Sequence, residues 1–181
     1  MFGPHVAGKL DADFLYGFVS FCVRFALSLS RIIKDRVMDN HRFLGLIEQS
    51  VQSHWELPAF SDFKGTTFLF KDVACHMEKF HILLAEAGIK PGDKVALIGR
   101  NSSNWAICFF GILTYGAVAV PILHDFKPDI IHHIVNHSEA TAIMVSSSNW
   151  ESLDEQKMPA VRLIVRLEDF SLIYSKADKE S

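Results

Sequence analysis

Apolar positions along this chain recur at two spacings, and the switches between them lay out its elements. Phe43, Leu44, Ile47, Val51 and His54 or Trp55 return every three or four residues, while Glu48, Gln49, Gln52 and Ser53 take the opposite face. This spacing predicts a surface helix, and Pro58 breaks it. Residues 59–63 and 66–70 are short and aromatic-rich around the tight Lys64-Gly65 pair, the pattern of a β-hairpin. Val73, Met77, Phe80, Leu84 and Ala87 then repeat by four and three, predicting a helix with one buried stripe that stops at Gly88.

Residues 88–123 form the stretch around which the rest is organised. Pro91-Gly92-Asp93 signals a turn, and residues 95–98 are an apolar run of strand length. Asn101, Ser102 and Ser103 supply helix-capping side chains. The apolar residues from Trp105 to Tyr115 cover every face of the helix they would form, so that helix is expected to be buried. Gly116 ends it, and residues 117–122 run on as a second strand. Two consecutive apolar strands joined by a helix imply a parallel βαβ unit with a right-handed crossover.

The alternation continues. After the polar loop His124-Asp125-Phe126-Lys127, Pro128 suits the first position of a helix whose apolar face is Ile130, Ile131, Ile134 and Val135. Residues 140–145 read as a third strand, 149–156 as a short polar helix and 161–165 as a fourth strand. Residues 168–181 show no sustained apolar period and are expected to be mobile. The expected fold class is therefore α/β, with a parallel sheet of about four strands and flanking helices, preceded by a helix and a hairpin.

Composition narrows the function classes. The chain is 49% hydrophobic with a formal charge of -3 and has no Lys/Arg run, which excludes the basic footprint of a nucleic-acid binder. Cys22, Cys75 and Cys108 lie in apolar surroundings without a CxxC pair, and read as buried thiols of a reducing compartment, so a cytoplasmic location is expected. Residues 14–33 approach the length of a membrane span, but Arg24 falls in the middle and Arg31 near the end. Three readings stay open for residues 1–37. One is a helix lying on a membrane or on another part of the protein, one is a true anchor, and one is an upstream extension with Met38 as the authentic start.

The order Ala87-Gly88-Ile89-Lys90-Pro91-Gly92-Asp93-Lys94-Val95-Ala96-Leu97, then Asn101, Trp105, Gly111, Tyr115-Gly116-Ala117-Val118 and Val120-Pro121, resembles the N-terminal region of AMP-forming acyl-CoA synthetases. These belong to the adenylating superfamily that also holds luciferases and peptide-synthetase adenylation domains. The similarity runs from about Phe43 to about Val165, and PILHDF followed by IIHHIVNHSEATAIMVS is most like the long-chain fatty acid branch. Residues 69–73 resemble the family's first short motif, with Leu69 standing where a capping Thr is usual. The loss is a cap of about 1 kcal/mol, which Asp72 in the first turn is placed to offset in part.

The resemblance implies a division into an apolar extension at 1–37, a partial AMP-binding domain at 38–167 and a tail at 168–181. It implies an enzyme that activates a fatty acid with ATP to acyl-AMP and transfers it to CoA, with Mg²⁺ assisting. Family members bind ATP through a loop of the form SGTTGxPK, and no such loop occurs here. The chain is therefore expected to be an N-terminal fragment, inactive alone and with no cofactor bound. The alternative is a stand-alone, non-catalytic flavodoxin-like binding or scaffold domain. Peripheral membrane contact through residues 14–33 is compatible with either.

The residues themselves offer weaker sites. The loop from Gly99 to Asn104 joins a strand to a helix N-terminus, where free N–H groups can hold a phosphate, but without GxGxxG or GxxxxGK[ST] it reads as a turn plus N-cap. Histidines 132, 133 and 137 include the i, i+4 pair His133 and His137; with no acidic or Cys partner at zinc-site spacing, they read as solvated helix histidines. His124 and Asp125 read as loop polar residues, since no nucleophile motif accompanies them. Ser146-Ser147-Ser148 lacks the glycines and lysine of a phosphate wrap. No catalytic or metal-ligating residue is assigned from the sequence, and the cofactor-binding residues are left open.

Since the family-like pattern begins only after Met38, the chain expressed from Met38 onward is expected to fold as the full chain does. Soluble expression with the same thermal midpoint supports this. An insoluble product beside a soluble full chain would make residues 1–37 part of the core.

Overall fold

The structure is a computed structural model and describes residues 43–175. Helix α1 (Phe43–Ser53) buries none of its side chains, as a surface helix should. Strands β1 (Pro58–Ser61) and β2 (Thr67–Leu69) pair antiparallel. The hairpin is shorter than its aromatic runs suggest, because Asp62 and Phe63 leave the ladder to form the tip, with Lys64 in the left-handed region at φ 56.

Helix α2 (Phe70–Glu86) starts behind Leu69, which has no oxygen to offer, and Asp72 Oδ2 instead accepts the Leu69 N–H at 2.9 Å. That is the expected partial offset for the missing cap. At the other end Gly88 turns left-handed at φ 69, with Ile89 N–H donating to Leu84 O at 2.9 Å and Gly88 N–H to Ala85 O at 3.0 Å. Helix α3 (Ser103–Tyr115) closes in the same way, with Gly116 at φ 88 and Ala117 N–H on Ile112 O at 3.1 Å. In both cases a residue without a Cβ penalty lets the last carbonyls find donors, and the next residue turns into the core.

The sheet contains β3 (Lys94–Ile98), β4 (Val118–Ile122), β5 (Ala140–Val145), β6 (Leu163–Arg166) and β7 (Leu172–Ser175) in the order β4-β3-β5-β6-β7. The first four are parallel and β7 is antiparallel to β6. Phe80 and Leu84 of α2 with Cys108 and Ile112 of α3 cover the face presented by Val95, Leu97, Met144 and Val165. Helix α4 (Pro128–His137) supplies Ile131 and Val135 to the other face, against Ala96, Ile98, Ile143 and Ile164. A third cluster, Val73, Met77 and Ile107, ties the hairpin residues Phe60 and Phe68 to the helices. No residue of α3 is exposed, as its all-round apolar pattern requires. Burial pushes the Cys108 thiol up, Cys75 is half-buried, and Cys22 lies outside the described residues.

Two expectations need correction. Residues 168–175 are ordered: Arg166 N–H donates to Ser171 O at 2.9 Å, Phe170 turns at φ 57, and Ile173 and Tyr174 of β7 pack on the second cluster. A strand of four residues alternates too briefly to register as a period. Residues 176–181, like 1–42 with the apolar stretch 14–33, lie outside the described residues. The polar helix expected at 149–156 is instead α5 (Ser147–Trp150) followed by a separate 3₁₀ turn (Glu155–Lys157). The first ends at Trp150, and Asp154 starts the second: its Oδ1 accepts Gln156 N–H at 3.0 Å, while its own N–H is taken by His132 Nε2 at 3.0 Å.

The amino-terminal edge of the sheet is fastened by Arg162, which donates to Gly88 O at 3.1 Å and to Asp93 Oδ2 at 3.2 Å. On the opposite flank β4, which among the described residues has β3 as its single neighbour, carries Pro121. Among the described residues no helix is long and apolar enough to cross a membrane.

Helices α2 and α3 meet at Gly111. A Cβ there would stand 2.7 Å from Phe80 Cδ1, and Phe80 is 1% exposed. His81 Nε2 also donates to Gly111 O at 2.9 Å. An alanine in a helix ordinarily gains about 1 kcal/mol over glycine, but overpacking a full core costs about 1–3 kcal/mol. Gly111→Ala is therefore expected to destabilise by about 1 kcal/mol, read as a lower urea midpoint, and Phe80→Leu in the same chain should recover part of the loss. A midpoint that rises on Gly111→Ala would contradict the close approach.

Candidate binding edge of the parallel sheet

In an open parallel sheet, ligands collect outside the carboxyl ends of the strands, where the chain leaves in opposite directions. Here β3 is followed by β4 on one side while β5 lies on the other, so the divergence falls between β3 and β5. The loops that meet there are 99–102, 123–127, 146–148 and 167–170. The first three follow strand-to-helix breaks visible in the sequence, whereas 167–170 joins β6 to β7 and falls mostly in the stretch read as a tail.

The crevice between β3 and β5 is filled by the chain itself. A Cβ at Gly99 would lie 2.5 Å from Leu167 Cδ1 and 3.5 Å from Ser146 Cβ, and Leu167 is buried. The neighbouring Glu168 accepts from Ser147 N at 2.9 Å and from Ser147 Oγ at 3.2 Å, while its carbonyl takes Asn104 Nδ2 at 2.8 Å. The start of α3 is closed in the same fashion. Ser103 N–H donates to Asp62 Oδ1 at 2.8 Å, and Trp105 N–H to Ser102 Oγ at 3.1 Å. The turn-plus-cap reading of residues 99–104 is thus what the geometry contains, with the hairpin's Asp62 as a second cap. Of the N–H donors at this edge, those of Ser103 and Ser147 are bound to carboxylates of this chain and that of Trp105 to the Ser102 hydroxyl, so the two helix starts offer fewer groups to a phosphate.

What stays open is a cavity of about 420 Å³ beside the β3 and β4 loops, lined by apolar Trp105, Pro121, Ile122 and Leu123 and polar Arg100, Asn101 and His124. Trp105 is held by stacking on Phe109, ring centroids 5.4 Å apart and 9° from parallel. Arg100 supplies the permanent positive charge. No carboxylate, thiol or hydroxyl lines this cavity, so it can hold a group but has no nucleophile or carboxylate pair to act on it. His124 Nε2 sits 3.1 Å from Asp125 Oδ1, and the His124 carbonyl accepts from Asn149 Nδ2 at 2.7 Å. Asn149 Oδ1 in turn receives Ser146 Oγ at 2.7 Å, so the Ser-rich turn serves as a strut between loops.

The three histidines of α4 separate. His133 and His137 are exposed, in line with their solvated reading, whereas His132 is 5% exposed and braces Asp154, correcting that reading at one position. Among the described residues no group of three or more His, Cys, Asp or Glu could hold a metal ion. Sequence reasoning passed over Asp62, Glu168 and Asn149. Their partners lie 41, 21 and 25 residues away, and nothing in the local pattern pointed to them.

With this geometry in hand, comparison with known proteins is informative. The family described as AMP-binding enzyme matches residues 47–181. A long-chain-fatty-acid–CoA ligase of Escherichia coli O6:H1 is 31% identical over 111 residues, covering 61% of this chain and 20% of its own length. The 4-hydroxybutyrate–CoA ligase 2 of Metallosphaera sedula is 34% identical over 86 residues, 48% of this chain and 16% of its own. Among solved structures, the anthranilate CoA ligase AuaEII in complex with anthranoyl-AMP aligns with a TM-score of 0.64 at 22% identity, over 68% of this chain and 24% of that one. The Mycobacterium tuberculosis fatty acyl CoA synthetase aligns with a TM-score of 0.61 at 21% identity, over 68% and 26%. These structural likenesses show the fold. The chain spans about a fifth of the length of the E. coli ligase, 20%.

Asp62→Ala is expected to leave the Ser103 N–H, in a residue only 4% exposed, without its acceptor. The cost should be about 1–2 kcal/mol, read as a lower thermal midpoint, and Asp62→Asn, which keeps an oxygen in place, should recover most of it. Equal midpoints for Asp62→Ala and the unaltered chain would remove Asp62 from the cap.

Proposed function

Since this chain belongs to the AMP-binding enzyme family, we propose that it supplies the first sheet and its flanking helices to an AMP-forming ligase that joins a fatty acid to coenzyme A. The observation that carries this reading is the family match over residues 47–181, within which Gly88 and Gly116 end two helices and Pro121 lies on the edge strand. In the proposed reaction a carboxylate oxygen bonds to the α-phosphorus of ATP and pyrophosphate leaves. The CoA thiol then bonds to the acyl carbon, its proton passes to a base, and AMP leaves. Mg²⁺ would neutralise the triphosphate charge during the first step.

The 181-residue chain is proposed to be one wall of that enzyme and to have no adenylating activity by itself. Phosphoryl-type transfer depends on positioning and charge stabilisation. Here Asp62 and Glu168 take the Ser103 and Ser147 N–H donors at two helix starts of the carboxyl edge, and no SGTTGxPK loop is present in the sequence. Exposed hydrogen bonds of about 1 kcal/mol each do not offset the entropy of fixing ATP. The fatty acid branch rests on the resemblance of residues 121–146 and on the ligases among the similar proteins.

ATP–pyrophosphate exchange with a panel of fatty acids is expected to stay at the no-enzyme level for this chain, with no micromolar heat signal for ATP and Mg²⁺. Appending a segment that carries the SGTTGxPK loop should restore exchange. Exchange by the 181-residue chain alone would show an adenylation site within it.

A further inference from the structure

Of the seven histidines among the described residues, five are committed to a polar partner. His54 Nδ1 meets Ser50 O at 3.1 Å, His76 Nδ1 meets Asp72 O at 2.7 Å and His81 Nε2 meets Gly111 O at 2.9 Å. His124 pairs with Asp125 and His132 with the Asp154 amide. Among the described residues His133 and His137 make no such bond. They stand one turn apart on the exposed side of α4, their ring centroids 5.8 Å apart and the planes 14° from parallel.

We propose that His133 and His137 form a two-point site for a divalent transition-metal ion of the Cu²⁺ or Ni²⁺ kind. Residues at i and i+4 share a helix face, so two imidazoles reach one ion without any backbone movement. Both rings are exposed, so a small side-chain rotation that brings one nitrogen of each to metal-bond distance meets no packed neighbour. Imidazole is a good ligand for copper, nickel and zinc, and copper and nickel stand above most first-row ions in affinity for such a site. Two protein ligands with water completing the sphere suit tetragonal coordination, whereas structural zinc takes four protein ligands. The position adds to this. His137 lies in the last turn of α4, where the aligned peptide dipoles give the helix end a partial negative charge that favours a cation. Binding one ion to the second imidazole is then an intramolecular event, which raises affinity well above that of a single ring.

The test is calorimetric titration of the full chain with NiCl₂ and CuCl₂, in a background carrying His5→Ala and His41→Ala so that these two positions do not contribute. His133→Ala and His137→Ala are each expected to weaken the tighter class of site by roughly tenfold or more. The double replacement should lose no more than either single one, because a lone imidazole is not a chelate. The urea midpoint should rise with NiCl₂ and lose that rise in each single variant, since the ion holds only the folded helix. Both positions are exposed, and circular dichroism will confirm that the variants fold. Unchanged affinity in either single variant, losses that add as for independent sites, or a midpoint rise that survives the replacements would each overturn the proposal.

Discussion

Strand β3 has no free side. Its backbone is bonded to β4 on one edge and β5 on the other, and its side chains enter opposite faces in turn, Val95 and Leu97 toward α2 and α3, Ala96 and Ile98 toward α4. All four of these residues are fully buried. A strand in this position must be apolar along its buried length, residues 95–98, and must keep its register, because a slip of one place would exchange the two faces and strand each side chain in the wrong cluster. The helices on either side, the Gly88 and Gly116 turns and the Arg162 fastening all serve to hold that register.

The two ends of the sheet are treated differently. At the amino-terminal end a guanidinium reaches across to a carbonyl and a carboxylate, closing the turn before β3. At the carboxyl-terminal end, carboxylates from the hairpin and from the segment after β6 cap the starts of α3 and α5. Those caps make the edge self-sufficient, leaving the Trp105 and Arg100 cavity as its open part.

Most of the fold could be read from residues that act on their neighbours. The buried strands announce themselves as apolar runs, α3 as a helix without a polar face, and the ends of α2 and α3 as glycines followed by an apolar residue. What could not be read depends on distant partners. His132 looks like its neighbours His133 and His137, and only the Asp154 amide distinguishes it. Asp62 falls inside a predicted hairpin strand, and its role shows only when Ser103 is brought beside it, 41 places along the chain. Strand β7 has too few residues for alternation to be seen, and it forms because β6 offers an edge on that side. The family resemblance was legible for a related reason, since spaced glycines and prolines mark backbone geometry that many side-chain choices can share.

Pro121 gives the opposite flank a different character. A proline cannot donate to a ladder and is tolerated in sheets where the absent N–H faces outward. Among the described residues β4 has β3 as its single neighbour, so by that rule its outer edge presents one donor fewer to any extended segment that approaches. Val118 at 47% exposure leaves apolar surface on the same strand, the combination that invites strands from other molecules to add on. The missing donor at Pro121 thus weakens that edge as a template, the effect by which prolines on edge strands discourage such addition.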